Sequence, residues 1–525
     1  LRYLAKKDSI APFVPNTAAW YDSSNTTLVL RAGNAYLNGS EGTQYLSTVT
    51  TIDASGSTSK NILVGNSKNN KIMAGSGTSS LWGGGQSSDT LIGGDGTDCF
   101  YFGSQDGSDR IYNFDEQKDT IEFYTDDISS VKVEGSAIIL KSGSSSLRIA
   151  DSAGKTINVV YQDGTTYHAW IGKNTANTTA YDTSVNFYQG SATAADTITV
   201  SESANIWLDN STSTTYINID DLDASASSEN VTLAGGTTAN CLTGGQGSSS
   251  LWGGAGQADD TLIGGSGTDY FYFGSADGND QIHDFGEQQD IIEFYTNDIS
   301  SVNVSGSNII LGAGSSSLTI TGQAGKTITA AYQNGTTYNA WIGRNTTNVK
   351  AYDPSLNYYY GSVDAKDTLT VSGSASIWLN NTTSTFYTNI DDLDATDSFG
   401  IDILAGNESS NRITGGQAAS SLWGGCGQVS DTLVGGGGTD DFYYGINEGT
   451  DYIENGTAAD KVILYDAGFS YTSAQLSGTT LTVNSAAGSL VITNWSENGM
   501  NTFQLANGDQ YKFTQTGTTL TPQKI

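Results

Sequence analysis

The stretch LIGGDGTDCFYFG, Leu91 to Gly103, sets glycines at 93, 94 and 96, an aspartate at 98 and a large apolar residue at 100. It returns as LIGGSGTDYFYFG from Leu262 and as LVGGGGTDDFYYG from Leu433, with Asp98, Asp269 and Asp440 each 171 residues apart. The likeness runs well past the glycines. DDISSVKVEGSAIILKSGSSSLRI from Asp126 answers NDISSVNVSGSNIILGAGSSSLTI from Asn297, and TTYINIDDLDA from Thr214 answers TFYTNIDDLDA from Thr385. NAYLNGS from Asn34 is a weaker match to NIWLDNS from Asn205, and LSGTTLTVNSAAGSLVITNW from Leu476 is a diverged copy of the segment after each glycine-rich block. The chain reads as about three copies of one module, starting and stopping mid-module. The boundaries expected are 1–60 for a partial β module, 61–232, 233–403 and 404–525 for three modules, with glycine-rich blocks at about 65–123, 235–294 and 406–464.

Inside each block runs a shorter period of nine to eleven residues: GNSKNNKIM from Gly65, AGSGTSSLW from Ala74, GGGQSSDTLI from Gly83 and GGDGTDCFY from Gly93. Matching rungs start at Gly235, Gly244, Gly253 and Gly264, and at Gly406, Gly415, Gly424 and Gly435. Glycine at the first, second and fourth places lets the backbone take positive φ and turn sharply, leaving carbonyl oxygens on the inside of the turn. The acid at the sixth place adds a carboxylate, and the eighth residue is apolar and faces a core. Stacked rungs therefore line up rows of oxygen. Such a row repels itself unless a hard cation with many oxygen ligands lies between the turns, and calcium is the best match.

Composition agrees. Among 525 residues, 64 are Gly, 28 Tyr and only 4 Pro, and Val, Ile, Thr, Tyr and Phe alternate with small polar residues between turn clusters. That pattern predicts an all-β protein. A net charge of −33, from 55 acids and 22 bases, argues against nucleic acid and anionic lipid as partners and for cations. The three cysteines, Cys99, Cys241 and Cys426, are an odd number and scattered, so no disulfide framework is read from them. No apolar run reaches the roughly 18 residues of a membrane span, and no signal peptide is visible. The chain starts at Leu1 and not at Met, which suggests a processed or truncated start.

The rungs resemble the nonapeptide G-G-x-G-x-D-x-U-x of RTX (repeats-in-toxin) proteins, a calcium-binding repeat signature, with a complete fit at Gly93–Tyr101, Gly264–Tyr272 and Gly435–Tyr443. The resemblance implies tandem parallel β-rolls, alternating with short β-sheet or β-sandwich-like segments, in which rungs n and n+2 share calcium. The sixth place departs from the family pattern in the first two rungs of each set: it is Asn70 and Ser79, Asn240 and Ser249, Asn411 and Ser420. Full-strength sites are therefore expected later in each roll. A looser rung follows the perfect one, which puts Asp109, Asp280 and Asp451 above Asp89, Asp260 and Asp431. Asp98, Asp269 and Asp440 similarly face Asp119, Asp290 and Asp460. The turn glycines implied as carbonyl donors are Gly84, Gly93, Gly94 and Gly96, then Gly254, Gly264, Gly265 and Gly267, then Gly425, Gly435, Gly436 and Gly438.

Nothing in the chain asks for catalysis. His168 and His283 occupy non-equivalent places, there is no H-E-x-x-H, and the conspicuous acids already have places in turns. Trp82, Trp252 and Trp423, with Tyr101, Tyr272 and Tyr443, point away from the roll core at the ninth place, and later strands of the same module are expected to cover them. The acids of NIDDLDA (Asp220, Asp221, Asp223, Asp391, Asp392, Asp394) are expected to cap the start of a roll. The last fifty or so residues look like the C-terminal region of RTX proteins exported by type I secretion. The functional expectation is a calcium-stabilised extracellular structural protein, a homo-oligomeric or polymeric subunit of a bacterial surface layer or filament. An adhesin that binds a cell-surface polysaccharide or protein, and the secretion portion of a larger enzyme or toxin, are the alternatives.

Overall fold

The computed structural model describes residues 19–38, 47–125, 128–209, 213–296, 299–380 and 384–525. The N-terminal segment 1–60 is therefore described over 19–38 and 47–60, and Leu1, Asp126 and Asn297 lie outside the described residues. Every regular element among them is a strand. No helix is long and apolar enough to cross a membrane, a statement that does not bear on β-barrels. The chain divides into two compact units, Leu1–Gly267 and Thr268–Ile525.

The first unit holds two whole sheets of nine strands each, besides strands of two further sheets. In one, the short strands Thr27–Leu30, Thr51–Asp53, Lys71–Met73, Thr90–Ile92 and Ser108–Tyr112 run parallel, each paired with the strand two rungs away. In the other, Ala35–Tyr36, Asn61–Val64, Ser79–Trp82, Asp98–Phe102 and Thr120–Phe123 do the same. The chain thus alternates between sheets at each glycine-rich turn, which is a parallel β-roll. Register stacks one apolar residue per rung: Ile52, Ile72, Leu91 and Ile111 on one side, Leu63, Leu81, Phe100 and Ile121 on the other, all at most 1% exposed. The eighth place of the rung is the core position, as its spacing predicts. Each such side chain contributes about 1.5–3 kcal/mol by burial, which lets a three-residue strand hold its place.

The segments between the glycine-rich blocks lengthen the same two sheets. Ser145–Ile149 pairs parallel to Ser108–Tyr112 and carries the antiparallel strands Ala137–Ser142 and Ile128–Glu134 outward. Lys155–Tyr161 pairs parallel to Thr120–Phe123 and carries Thr166–Ile171. These strands lie beside the roll, not on it. The expectation that they cover Trp82 and Tyr101 is therefore wrong: hydrogen bonding along the sheet edge satisfies their backbone, and both rings stay half-buried on the outer face.

Within the second unit the same scheme recurs. Leu393, Ile413, Leu433, Ile453 and Ile492 stack in one sheet and Leu404, Leu422, Phe442, Val462 and Phe503 in the other. Strands Gln510–Thr516 and Thr519–Lys524 close the second sheet as an antiparallel pair.

Candidate metal centre

The side chain at the sixth place of a rung lies just where the turn enters its strand. In the first roll it is held from two directions. The backbone N–H of Asn70 donates to Asp89 Oδ1 (2.6 Å), and that of Asp89 to Asp109 Oδ1 (2.9 Å). On the opposite turns Ser79 N–H donates to Asp98 Oδ1 (3.1 Å), and Asp98 N–H to Asp119 Oδ1 (2.9 Å). The other carboxylate oxygen reaches back into its own turn, where Gly94 N–H donates to Asp98 Oδ2 (2.6 Å) and Asp115 N–H to Asp119 Oδ2 (2.8 Å). The structure thus brings together Asp89 with Asp109 and Asp98 with Asp119, the pairs the two-rung spacing predicts.

The third roll repeats the arrangement. Asn411 N–H donates to Asp431 Oδ1 (2.8 Å), Asp431 N–H to Asp451 Oδ1 (3.1 Å), Ser420 N–H to Asp440 Oδ1 (2.9 Å) and Asp440 N–H to Asp460 Oδ1 (2.8 Å). For the second roll, Asn240 N–H donates to Asp260 Oδ1 (2.7 Å) in the first unit and Asp269 N–H to Asp290 Oδ1 (3.0 Å) in the second, where Asp280 is also buried. The early Asn and Ser fill the back-bonding role of the acid, as Asn240 Oδ1 does for Gly236 N–H (2.7 Å) and Ser249 Oγ for Gly245 N–H (3.1 Å).

The glycines serve close approach more than unusual φ. A Cβ on Gly94 would stand 1.7 Å from the carbonyl oxygen of Gly75, and one on Gly96 2.3 Å from that of Gly77. Gly265, Gly267 and Gly436 meet Gly245 O at 2.0 Å, Gly247 O at 2.1 Å and Gly416 O at 1.7 Å in the same way, and Gly438 meets Ala418 O at 2.4 Å. A Cβ on Gly93 or Gly435 would approach Asn113 O (2.6 Å) or Asn455 O (2.9 Å), and the Gly264 carbonyl faces Gly244. The expectation of positive φ at all three places is corrected accordingly. It holds at Gly84 (+79°), Gly254 (+119°), Gly265 (+152°) and Gly425 (+117°), but not at Gly93, Gly94 or Gly96.

Electrostatically the ladders are incomplete. Burial pushes the carboxyls of Asp89 and Asp119 up to about 6, Asp431 to about 7, and Asp109 and Asp451 to about 8, and it raises Asp98, Asp290 and Asp440 as well. Asp109 Oδ2, Asp431 Oδ2 and Asp451 Oδ2 are buried with no hydrogen-bond partner. Lys118 pairs with Asp115 and Arg412 with Glu454, away from the carboxylates of Asp109, Asp431 and Asp451. Nor do three His, Cys, Asp or Glu side chains converge as a cluster among the described residues. The available donors are paired carboxylates and the backbone carbonyls of stacked turns, an all-oxygen set. Buried anions without a counter-charge, beside carbonyl-lined turns, fit a hard cation taking about 6–8 oxygens, which is calcium.

Several acids escaped the glycine pattern. Asn177 N–H donates to Asp196 Oδ1 (2.9 Å) and Asp196 N–H to Asp220 Oδ2 (2.8 Å); Asn348 N–H donates to Asp367 Oδ1 (2.8 Å) and Asp367 N–H to Asp391 Oδ2 (2.8 Å). Asp220 and Asp391 are thus rungs of the ladder and not caps, because NIDDLDA is itself a roll strand with Leu222 or Leu393 in the core. Asp402, fully buried, accepts from Ala375 N–H (3.1 Å). The visible signal was spacing: 177, 196, 220, 240 and 260 step by 19–24 residues. Asp106 is a further buried acid, taking N–H from Trp82 Nε1 (3.3 Å) and Gly103 (2.9 Å) and O–H from Tyr124. Glu448 repeats this with Trp423 Nε1 (2.7 Å) and Tyr465, so Trp82 and Trp423 are tied to the turn that follows the fourth rung of their rolls.

A parallel roll whose stacked glycine turns hold buried, cation-seeking aspartates defines a calcium-binding repeat protein. The sequence model of the RTX calcium-binding nonapeptide repeat matches residues 55–88, 83–109, 234–270, 255–282 and 397–425, reaching into all three glycine-rich blocks. The chain carries RTX calcium-binding repeats, and calcium is the ion such repeats bind. Among solved structures it is similar to extracellular lipase LipA from Serratia marcescens, at 15% identity and a TM-score of 0.15, over 50% of this chain and 38% of the lipase. No curated protein matches.

Proposed function

We propose that this is a non-enzymatic, calcium-stabilised extracellular structural protein, a subunit of a bacterial surface layer or filament. The observation that carries the reading is that the ladder recurs in each unit, with the same pairs of buried acids in the same turns. An array of like β modules makes length and surface. The proposed ligands are the carboxylates of Asp89 with Asp109, Asp98 with Asp119, Asp260, Asp280, Asp269 with Asp290, Asp431 with Asp451 and Asp440 with Asp460, together with turn carbonyls. Calcium supplies the positive charge that these oxygens lack. In a low-calcium cytosol the acids repel one another and the chain stays open for type I export; outside, binding and folding become one event.

Electron microscopy with calcium and with chelator tests the assembly. Regular sheets or fibres formed only with calcium support it. Particles that stay monomeric in calcium sink it.

A further inference from the structure

The outer face of the first sheet carries charge of the wrong sign for this chain. Register places Lys71, Thr90, Arg110, Arg148, Ile139 and Lys132 side by side on neighbouring strands. Four of only 22 cations in a chain of net charge −33 therefore stand in one row. Arg110 and Arg148 are directly paired, a like-charge juxtaposition that costs stability across a sheet. Arg148 has Glu134 at 3.2 Å, whereas no carboxylate pairs with Arg110 among the described residues.

The paired arginines and Lys132 are confined to the first module, while the place of Lys71 is Cys241 in the second and Arg412 in the third. The residues at the places of Arg110, Arg148 and Lys132 are Gln281, Thr319 and Asn303 in the second module, and Tyr452, Val491 and Gln475 in the third. The shared roll does not require these cations.

The two arginines border a cleft of ≈ 510 Å³ that is also lined by Asn69, Ser88, Ser108, Ser146 and Glu134, the exposed partner of Arg148, which leaves Arg110 as the unpaired cation. Hydroxyl and amide groups surround two arginines carried at one register on neighbouring strands, whose backbones lie about 5 Å apart in a sheet. Arginine forks match carboxylate or sulfate geometry. Tyr112, 42% exposed, stands two residues beyond Arg110 on the same face and offers a surface for a sugar ring. Asp89 and Asp109 also belong to its lining, with their side chains almost wholly buried. They would repel an anion unless a cation sat on them.

We infer that this cleft binds an acidic saccharide, one bearing carboxylate or sulfate groups, in a calcium-dependent manner. The calcium dependence rests on the ladder reading above. A concave, hydroxyl-lined cleft suits a chain of sugars better than the flat face of a second copy.

The test is binding of the full chain to dextran sulfate, hyaluronate and neutral dextran in 1 mM calcium, on the order of the extracellular modules' range. Arg110→Gln/Arg148→Gln is compared with Arg412→Gln, which removes an exposed cation from the third module's sheet. The account expects binding to dextran sulfate, hyaluronate or both, a loss of at least tenfold in the double variant, less than twofold in R412Q, and none to neutral dextran. Equal binding by wild type and double variant, equal loss in R412Q, or equal binding of neutral dextran overturns it. So does calcium-dependent self-association that the double variant abolishes while wild type binds neither polyanion, which assigns the row to a second copy. Calorimetry of calcium alone on the wild type runs alongside. No calcium heat means the ladder reading has failed, whereas normal calcium heat with arginine-independent polyanion binding overturns the cleft alone.

Discussion

Asp109→Asn should stabilise the metal-free protein. Asp109 is 1% exposed, its Oδ1 accepts the Asp89 N–H, its Oδ2 has no partner, and burial, followed by the nearby Asp89 charge, pushes its carboxyl up to about 8. In the unfolded chain it titrates near 3.8. The folded carboxyl thus binds its proton more tightly than the unfolded one. Its stabilising contribution is full below about pH 4, falls as pH rises, and is lost by about pH 8. At pH 7 the difference amounts to about 4 kcal/mol, at 1.36 kcal/mol per pH unit between about 3.8 and 7. Asparagine keeps the oxygen acceptor and removes the titration, at about 1 kcal/mol for an amide N–H left unpaired. Circular dichroism in chelator, with an excluded osmolyte such as TMAO to bring the metal-free chain into its folding transition, should show the variant about 3 kcal/mol more stable at pH 7 and less sensitive to pH between 5 and 8. In saturating calcium the order should reverse, because the variant has lost an anionic ligand. A variant that is less stable in chelator at pH 7, or that keeps the wild-type pH slope, refutes the reasoning.

Two further outcomes follow from the turns. Gly94→Ala should destabilise the first roll by about 3 kcal/mol or more, since its methyl would meet the Gly75 carbonyl at 1.7 Å, whereas Gly135→Ala, with φ +62° and open space around it, should cost about 1 kcal/mol; thermal melts in calcium separate the two. Asp89→Asn with Asp98→Asn should lower calcium stoichiometry in calorimetry while leaving the third roll's sites intact, because Asp431 and Asp440 have their own partners within the second unit.

Legibility in the sequence followed how much each position is constrained. The rung that holds Asp98 and Phe100 could be read because both its turn and its core place admit few residue types. Pairing two rungs apart also came through, since 20–21 residues separate Asp89 from Asp109 and Asp98 from Asp119. The reach of the ladder to Asp196 and Asp367 did not, because those turns close with side-chain hydrogen bonds such as Asn177 Nδ2–H to the Lys173 carbonyl (2.9 Å), without the glycine signature. The placement of the hairpins was missed for another reason. A half-apolar strand such as Ala137–Ser142 satisfies its pattern equally well on top of a sheet or at its edge, and the parallel pairing of Ser145–Ile149 with Ser108–Tyr112 decides it. Asp106 was silent because its partners, Trp82 and Tyr124, lie about 20 residues away on either side with no motif linking them.

The central claim is that calcium and the rolls form together, and a calcium titration of the chelated chain at pH 7.5, followed by far-ultraviolet circular dichroism and calorimetry, tests it most directly. The account predicts a cooperative gain of β signal with heat of binding, reversed by chelator. An unchanged β signal with no heat of binding would contradict it.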